Sequence, residues 1–378
     1  MYFYNRMIAS QIKNSLFGGK IIILYGPRQV GKTTLIQEIV RPYGEKVIMM
    51  SGDKLYHHTD LAFADGARIE RIVQWKDILF IDEAQRISNI GLHLKVLYDS
   101  WWSGQIIATW SSSFDLANTI SESLTWRVVV YTLFPLSLWE VITKHGFIVA
   151  KERLKEFMIT WMYPWIIDQH GDTQRDLLDT LTQSYLYKDI LSFDRLQKSQ
   201  KLIDLLQLLA LQIGSEVSYY ELWQKLWLHT QSVEKYIDLL EKTFVIFRLP
   251  SYSSNPRNEI IKWKKIYFYD LWIRNSLLSA YTSLDIRSDI WALRENYCII
   301  ERLKWITYNH YFTQRWFWRS RNQREIDYIE WQNHMIEWYE IKWSIKWKWS
   351  CPKQFSDTYP HATYKVITPD TLWDRIGE

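Results

Sequence analysis

Residues 21–34 read IIILYGPRQVGKTT, and this stretch limits the fold more than any other part of the chain. An apolar, β-branched run, Ile21–Tyr25, ends at Gly26, and Gly31-Lys32-Thr33-Thr34 then opens a helix-forming segment. A short continuous apolar run fits a strand buried on both faces, which belongs to a parallel sheet covered by helices. The fold class that follows is α/β. The spacing G-x-x-x-x-G-K-[ST], between strand and helix, is that of a loop that cradles phosphates. Its glycines let backbone N–H groups turn inward, and the helix N-terminus adds partial positive charge. Gly26, Pro27, Arg28, Gln29, Val30, Gly31, Lys32, Thr33 and Thr34 are therefore the candidate nucleotide-binding residues. Lys32 is expected to reach the β- and γ-phosphates, and the Thr33 hydroxyl to ligate Mg²⁺. ATP and Mg²⁺ are the cofactors this implies.

A second apolar strand, DILFIDEAQ at residues 77–85, ends in two acids. Asp82 at the strand end can hold Mg²⁺ through water, and Glu83 can orient and polarise an attacking water. A helix N-cap pair is the plainer reading of the same two acids. Gln85 also stands where it can face the nucleotide. A third strand, Gln105–Thr109, precedes a serine run. Ser111 or Ser112 there is a candidate γ-phosphate sensor, with helix capping as the alternative. Arg127 is a candidate catalytic residue, either as a sensor or as an arginine finger toward a neighbouring copy in a homo-oligomer, with a surface salt bridge as the alternative. The segments GPRQVGKTT, FIDEAQ, ATWSSSFDLA, LTWR and YTLFPLS together resemble prokaryotic AAA-type ATPases that carry a C-terminal domain of unknown function. The resemblance runs over nearly the whole chain and implies a P-loop NTPase core of AAA type. Trp110 and Trp126 occupy places where that family has glycine.

Composition narrows the setting. The chain has 378 residues, enough for two or three domains, and its net charge of +4 demands no polyanionic partner, so a nucleic-acid surface has to be local. Two cysteines, Cys298 and Cys351, make neither a disulfide framework nor a zinc site, which points to a reducing compartment. The N-terminal residues lack the apolar core and cleavage site of a signal peptide, and no apolar run approaches the ~20 residues of a membrane span. A cytoplasmic protein without a membrane partner is expected.

Apolar i, i+3, i+4 spacing in LLDTLTQSYLYKDIL predicts helix within residues 146–200, read as a lid or linker. Residues 201–275 follow as short helices, a tight turn near Trp227–His229, the strand FVIFRL and the basic segment NPRNEIIKWKK. That order is winged-helix-like. Arg257, Lys262, Lys264 and Lys265 are candidate DNA-phosphate contacts, and an interdomain packing module is the equal alternative. In residues 276–378, Asp327 lies on one predicted strand, and Glu340 and Lys342 share a face of the next. Glu295 sits on an upstream helix. Two or three carboxylates with a lysine is a constellation of metal-dependent phosphodiester hydrolysis, and it resembles the PD-(D/E)xK nuclease-like superfamily. In that superfamily a glycine often stands four residues before the helix glutamate; here the place is Trp291. Gln354 matches an accessory glutamine of some members. A solvated hairpin with an ion pair is the alternative.

The chain carries 22 tryptophans and only 13 glycines, roughly 3% glycine against a usual ~7%. Trp110, Trp126, Trp272 and Trp291 stand where the resembling family tends to have glycine. Trp223 and Trp227 bracket the helix-turn-helix positions, and Trp331, Trp338, Trp347 and Trp349 are expected in or near loops. Trp318 and Trp343 read as ordinary aromatics. One expectation is that UGA codons meaning glycine have been read as tryptophan; a Trp-rich protein is the other. Altogether the sequence predicts an AAA-type ATP-binding core over 1–145, a helical lid over 146–200, a winged-helix-like middle over 201–275 and a small α/β nuclease-like domain over 276–378. The expected function is Mg²⁺-dependent ATP hydrolysis coupled to DNA. The alternative is a nucleotide-dependent switch with a catalytically inactive C-terminal interaction module.

Overall fold

The computed structural model describes residues 4–54, 71–100, 102–111, 124–160, 162–169, 171, 176–177, 180, 199–253, 264–320, 322, 324–332, 335–342, 352–368 and 370–375. The chain divides into two compact units. The first takes Met1–Lys144 with Tyr163–Trp165 and Lys242–Phe244, and the second takes the rest.

In the first unit five strands form one parallel sheet: β1 (Ile21–Tyr25), β2 (Val47–Ser51), β3 (Ile78–Asp82), β4 (Gln105–Trp110) and β5 (Val128–Thr132). Their order is β2-β3-β4-β1-β5, so the strand before the phosphate loop has a neighbour on each side. β1 and β4 are buried over nearly their whole length, which is why they read as continuous apolar runs rather than as alternation. Helices α1 (Ala9–Asn14), α2 (Lys32–Val40), α3 (Ile90–Tyr98) and α4 (Leu138–His145) accompany the sheet. Because the strands are parallel, their C-terminal ends line one edge. The phosphate loop leaves from Tyr25 and the paired acids from β3 at that same edge.

The second unit opens with two short helices, α5 (Phe147–Glu152) and α6 (Leu154–Phe157); most of the expected lid helix at 177–191 lies outside the described residues. Then come α7 (Ser199–Leu211), β6 (Glu216–Val217), α8 (Tyr219–Leu226), α9 (Thr230–Lys242), β7 (Ile246–Pro250) and β8 (Lys264–Phe268). These strands form an antiparallel sheet ordered β6-β8-β7. The Ser218 side chain caps α8 by accepting from the Glu221 N–H. A third group follows: α10 (Leu271–Leu277), α11 (Ile290–Tyr308), β9 (Gln314–Arg319), β10 (Glu325–Gln332), β11 (Met335–Ile341), α12 (Lys353–Thr358) and β12 (Thr363–Ile367). Its sheet runs β12-β11-β10-β9, with β12 parallel to β11 and the other pairs antiparallel.

The tryptophans divide. Trp126 and Trp227 have left-handed backbones, at φ 62° and 54°, and both side chains are exposed. Trp227 ends α8, a position that favours glycine. Trp110 and Trp272 are instead fully buried, Trp110 within the core of the first unit. Trp338, expected near a loop, lies within β11 and is buried against Phe355 and Tyr364. Trp318 packs against that same core, as an ordinary aromatic would. Trp343, Trp347 and Trp349 lie outside the described residues. Cys298 is buried, and removal from water pushes its thiol up to about 12, so it is unreactive at neutral pH; Cys351 lies outside the described residues.

Candidate functional sites

The phosphate loop is shaped by two glycines. A Cβ on Gly26 would lie 2.1 Å from the Leu133 carbonyl oxygen, and Gly31, the N-cap of α2, has φ 94°. Lys32 is buried and its Nζ donates to the carbonyls of Gly26 and Pro27, each at 2.9 Å. From outside the loop Arg6, also buried, donates to the Val30 carbonyl at 2.7 Å and pairs with Glu140 at 3.0 Å. Neither Arg6 nor Glu140 stood out in the sequence, because their meeting joins the N-terminus to a helix 134 residues on.

Across from the loop the two acids are placed differently. Thr33 Oγ1 donates to Asp82 Oδ1 at 2.8 Å and reaches Oδ2 at 3.0 Å. Hydroxyl and carboxylate oxygens are the hard donors Mg²⁺ takes, so these two side chains fit that ion. Thr109, fully buried on β4, donates to Asp82 Oδ1 at 2.7 Å and accepts from the Glu83 N–H at 2.9 Å. Glu83 turns with φ 48°, and its Oε2 accepts from Ser111 Oγ at 3.0 Å and from Gln85 Nε2 at 2.5 Å. Ser111 and Gln85 thus hold the glutamate. Ser112 lies outside the described residues.

Arg127 does not join this group. Ile21 N donates to the Arg127 carbonyl, so the arginine flanks the first residue of β1, whereas the phosphate loop leaves its last. The length of a five-residue strand, ~13 Å, separates the two ends. Its guanidinium forms two bonds to Asp99, at 3.0 and 2.9 Å, and stacks 4.4 Å over Trp126. Within the chain the Arg127 guanidinium is thus engaged in a salt bridge at the end of β1 opposite the phosphate loop.

The second unit contains a cluster of acids. Oxygens of Glu295 on α11 and of Glu325 and Asp327 on β10 lie within 4.8 Å of one another. A register shift between Ile326 and Ile329 breaks the β9–β10 ladder at Asp327 and aims its side chain. Its Oδ2 accepts from the Ile341 N–H at 2.8 Å. Loss of solvent, with Glu295 and Glu340 close by, holds the Asp327 carboxyl well above the usual range. Glu340 is nearly fully buried and pairs with Lys342 at 2.5 Å. Burial raises its pKa, which the bond to Lys342 opposes. The sequence thus picked out Glu295, Asp327, Glu340 and Lys342, and these come together; Glu325, Lys265 and Tyr267 it did not place here. Lys265, a candidate DNA-phosphate contact with a packing role as the equal alternative, is buried, and its Nζ bonds Glu295 at 2.9 Å and Glu325. Lys264 is half-buried, and Arg257 and Lys262 lie outside the described residues. Nothing is described of the Gln354 side chain.

With this geometry in place, the class of the first unit can be stated. A family profile for an AAA domain matches residues 18–142, so the phosphate loop and acid pair belong to an AAA domain of P-loop ATPase type. Two profiles described as domains of unknown function, DUF8612 and DUF4143, match residues 151–284 and 292–371. An uncharacterized protein of Methanocaldococcus jannaschii is 25% identical over 300 residues, 68% of this chain and 62% of its own length, so the match spans under two thirds of that relative. Uncharacterized proteins of Mycobacterium bovis and Mycobacterium tuberculosis are each 24% identical over 334 residues, 87% of this chain and 72% of theirs. Among solved structures, the Thermotoga maritima RuvB Holliday junction branch migration motor overlaps at a TM-score of 0.33, with 16% identity over 66% of this chain and 91% of that one, too low to define fold or function. Among the described residues no helix is long and apolar enough to cross a membrane.

Proposed function

We propose that this chain binds ATP with Mg²⁺ and hydrolyses it, and that the cycle governs how the second unit engages DNA. The observation that carries the ATPase part is the direct meeting of Thr33 and Asp82, at 2.8 Å, beside the lysine-bearing loop. Thr33 and Asp82 would hold Mg²⁺, which would supply neutralisation of the nucleotide's phosphate charge. Lys32 exchanges its carbonyl partners for phosphate oxygens. Glu83, oriented by Ser111 and Gln85, takes the proton of the attacking water. Lys32→Ala is expected to abolish nucleotide affinity in a titration, and retained affinity would sink the reading. Glu83→Gln is expected to bind ATP normally and lose phosphate release by at least ~100-fold.

For the second unit, the order helix, short strand, two helices and two strands, with the three strands in one antiparallel sheet, supports a winged-helix-like module, and the acid cluster with Lys342 supports a nuclease-like one. DNA affinity that falls with rising salt, and Mg²⁺-dependent cleavage lost on Asp327→Ala, would support a DNA enzyme. One observation favours a second reading, a nucleotide-dependent switch whose C-terminal module is inactive: the acids already hold the ammonium of Lys265. In that case plasmid DNA stays uncut at any Mg²⁺ concentration. A cytoplasmic location accompanies either reading.

A further inference from the structure

The three acids, whose oxygens lie within 4.8 Å of one another, with Glu340 alongside, have the chemistry of a divalent-cation site. Glu340 adds an independent sign of a missing ligand: its Oε2 is buried without a hydrogen-bond partner, although the residue is only 3% exposed. Yet a cation already stands among these carboxylates. Lys265 reaches in from β8, with a side chain 2% exposed, and its ammonium bonds Glu295 at 2.9 Å and Glu325. Tyr267, two residues on along the same strand face, donates to the same Glu295 Oε1 at 2.5 Å. The Phe317 ring closes the other side, 5.4 Å from Nζ.

We propose that Lys265 is a tethered cation that occupies the acid cluster in place of a divalent metal, so that the cluster of the unaltered chain takes up none. The proposal deepens the second reading above and is independent of the ATPase assignment. Its charge logic is simple. Glu295 and Glu325 are both engaged by one ammonium, and a divalent ion would have to displace a fully buried lysine from two ion pairs with half-buried acids. Such pairs are costly to break singly, because the group left behind is an unpaired buried charge. Burial disfavours the ammonium, and the Glu295 and Glu325 carboxylates that bond it directly favour it. The tether also explains why a lysine in a basic segment is turned inward: β8 delivers it, and β8 lies at the centre of its own sheet.

The test is a Mn²⁺ titration of the full chain without nucleotide, read by the resonance of free Mn²⁺, comparing the unaltered protein with Lys265→Met. The phosphate loop is common to both, so the difference belongs to the acid cluster. We expect Lys265→Met to gain one site at least tenfold tighter than any site of the unaltered chain. Glu295→Gln placed in the Lys265→Met background should remove that site again. Mn²⁺ should also raise the thermal midpoint of Lys265→Met and leave that of the unaltered protein unchanged. A folded Lys265→Met that gains no site overturns the proposal. If that variant does not fold, the unaltered chain decides. No Mn²⁺ site sensitive to Glu325→Gln supports the tether, and one lost on Glu325→Gln overturns it. A chain that binds Mn²⁺ there but leaves DNA uncut would overturn the tether alone and leave the inactive-module reading in place.

Discussion

Thr109 is the residue on which the hydrolytic acids converge, and replacing it separates two kinds of loss. Its hydroxyl donates to Asp82 and accepts from the Glu83 N–H, while its methyl group is fully buried. Thr109→Val keeps the shape and removes the hydroxyl. The Glu83 N–H then loses its acceptor, an unsatisfied buried donor worth about 1–3 kcal/mol, and Asp82 loses one of the bonds that orient it. We expect phosphate release to fall 10- to 100-fold, which is about 1.4–2.7 kcal/mol of barrier. Thr109→Ser keeps the hydroxyl and removes one buried methyl, costing ~1 kcal/mol of stability but little rate. Steady-state phosphate release alongside urea unfolding reads both quantities. If valine turned over like the parent, or if serine and valine lost rate equally, the hydroxyl would not be what orients Asp82 and Glu83.

Trp227→Gly should stabilise the second unit, because a left-handed backbone costs a non-glycine residue about 1–2 kcal/mol and an 87%-exposed ring contributes little packing in return. Glycine's own flexibility takes back ~0.5–1 kcal/mol, so the net gain is at most about 1.5 kcal/mol, seen as a higher urea midpoint. Trp110→Gly should have the opposite sign, a loss of at least ~3 kcal/mol, since that ring is fully buried. Gains at both positions would favour glycine as the residue meant at each, and UGG codons throughout the gene would remove recoding as an explanation. Asp270 gives a pH signature: burial, against the opposing pull of Lys304, raises its carboxyl to about 8 from 3.8. A carboxyl raised on folding binds its proton more tightly in the native state, so stability is full below pH ~4 and falls as pH rises toward 8, by no more than about 1.4 kcal/mol per unit. Asp270→Asn, which can still cap α10, should flatten that slope in unfolding curves taken from pH 5 to 8, and an unchanged slope would show that the carboxyl does not titrate there.

The phosphate loop could be read from sequence because its determinants are local. Strand, glycine spacing, lysine and helix start fall within 14 residues, and each constrains backbone geometry by itself. Asp82 and Glu83 were legible because a buried parallel strand ends where the sheet's ligand edge lies. The position of Arg127 was not legible, because proximity in sequence to a buried strand says nothing about which end of the sheet it flanks; that depends on the direction of β5 beside β1. Thr109 sits in an apolar run, and its value comes only from Asp82, 27 residues away. Asp327, Glu340 and Lys342 were visible through strand alternation, but alternation cannot report the inward turn of Lys265. Its partners come from a helix 30 residues on and a strand beyond that. Trp338 was placed near a loop because loop and strand look alike in a segment so rich in aromatic residues, whereas burial against Phe355 is a tertiary fact.

Two buried lysines separate what a cation is for. Lys32 donates to the neutral carbonyls of Gly26 and Pro27, and exchanging such a bond costs about 1 kcal/mol net, so a phosphate can take the ammonium over. Lys265 is held by the carboxylates of Glu295 and Glu325, and pulling it away strands buried charge at a cost of about 3–5 kcal/mol. The first arrangement is a ligand site kept ready by weak stand-ins. The second is a salt link already complete. The difference lies in the partners rather than in the residue. It follows that the nucleotide site should respond steeply to its ligand, while the acid cluster should keep one composition through every state of the ATP cycle unless Lys265 itself is withdrawn.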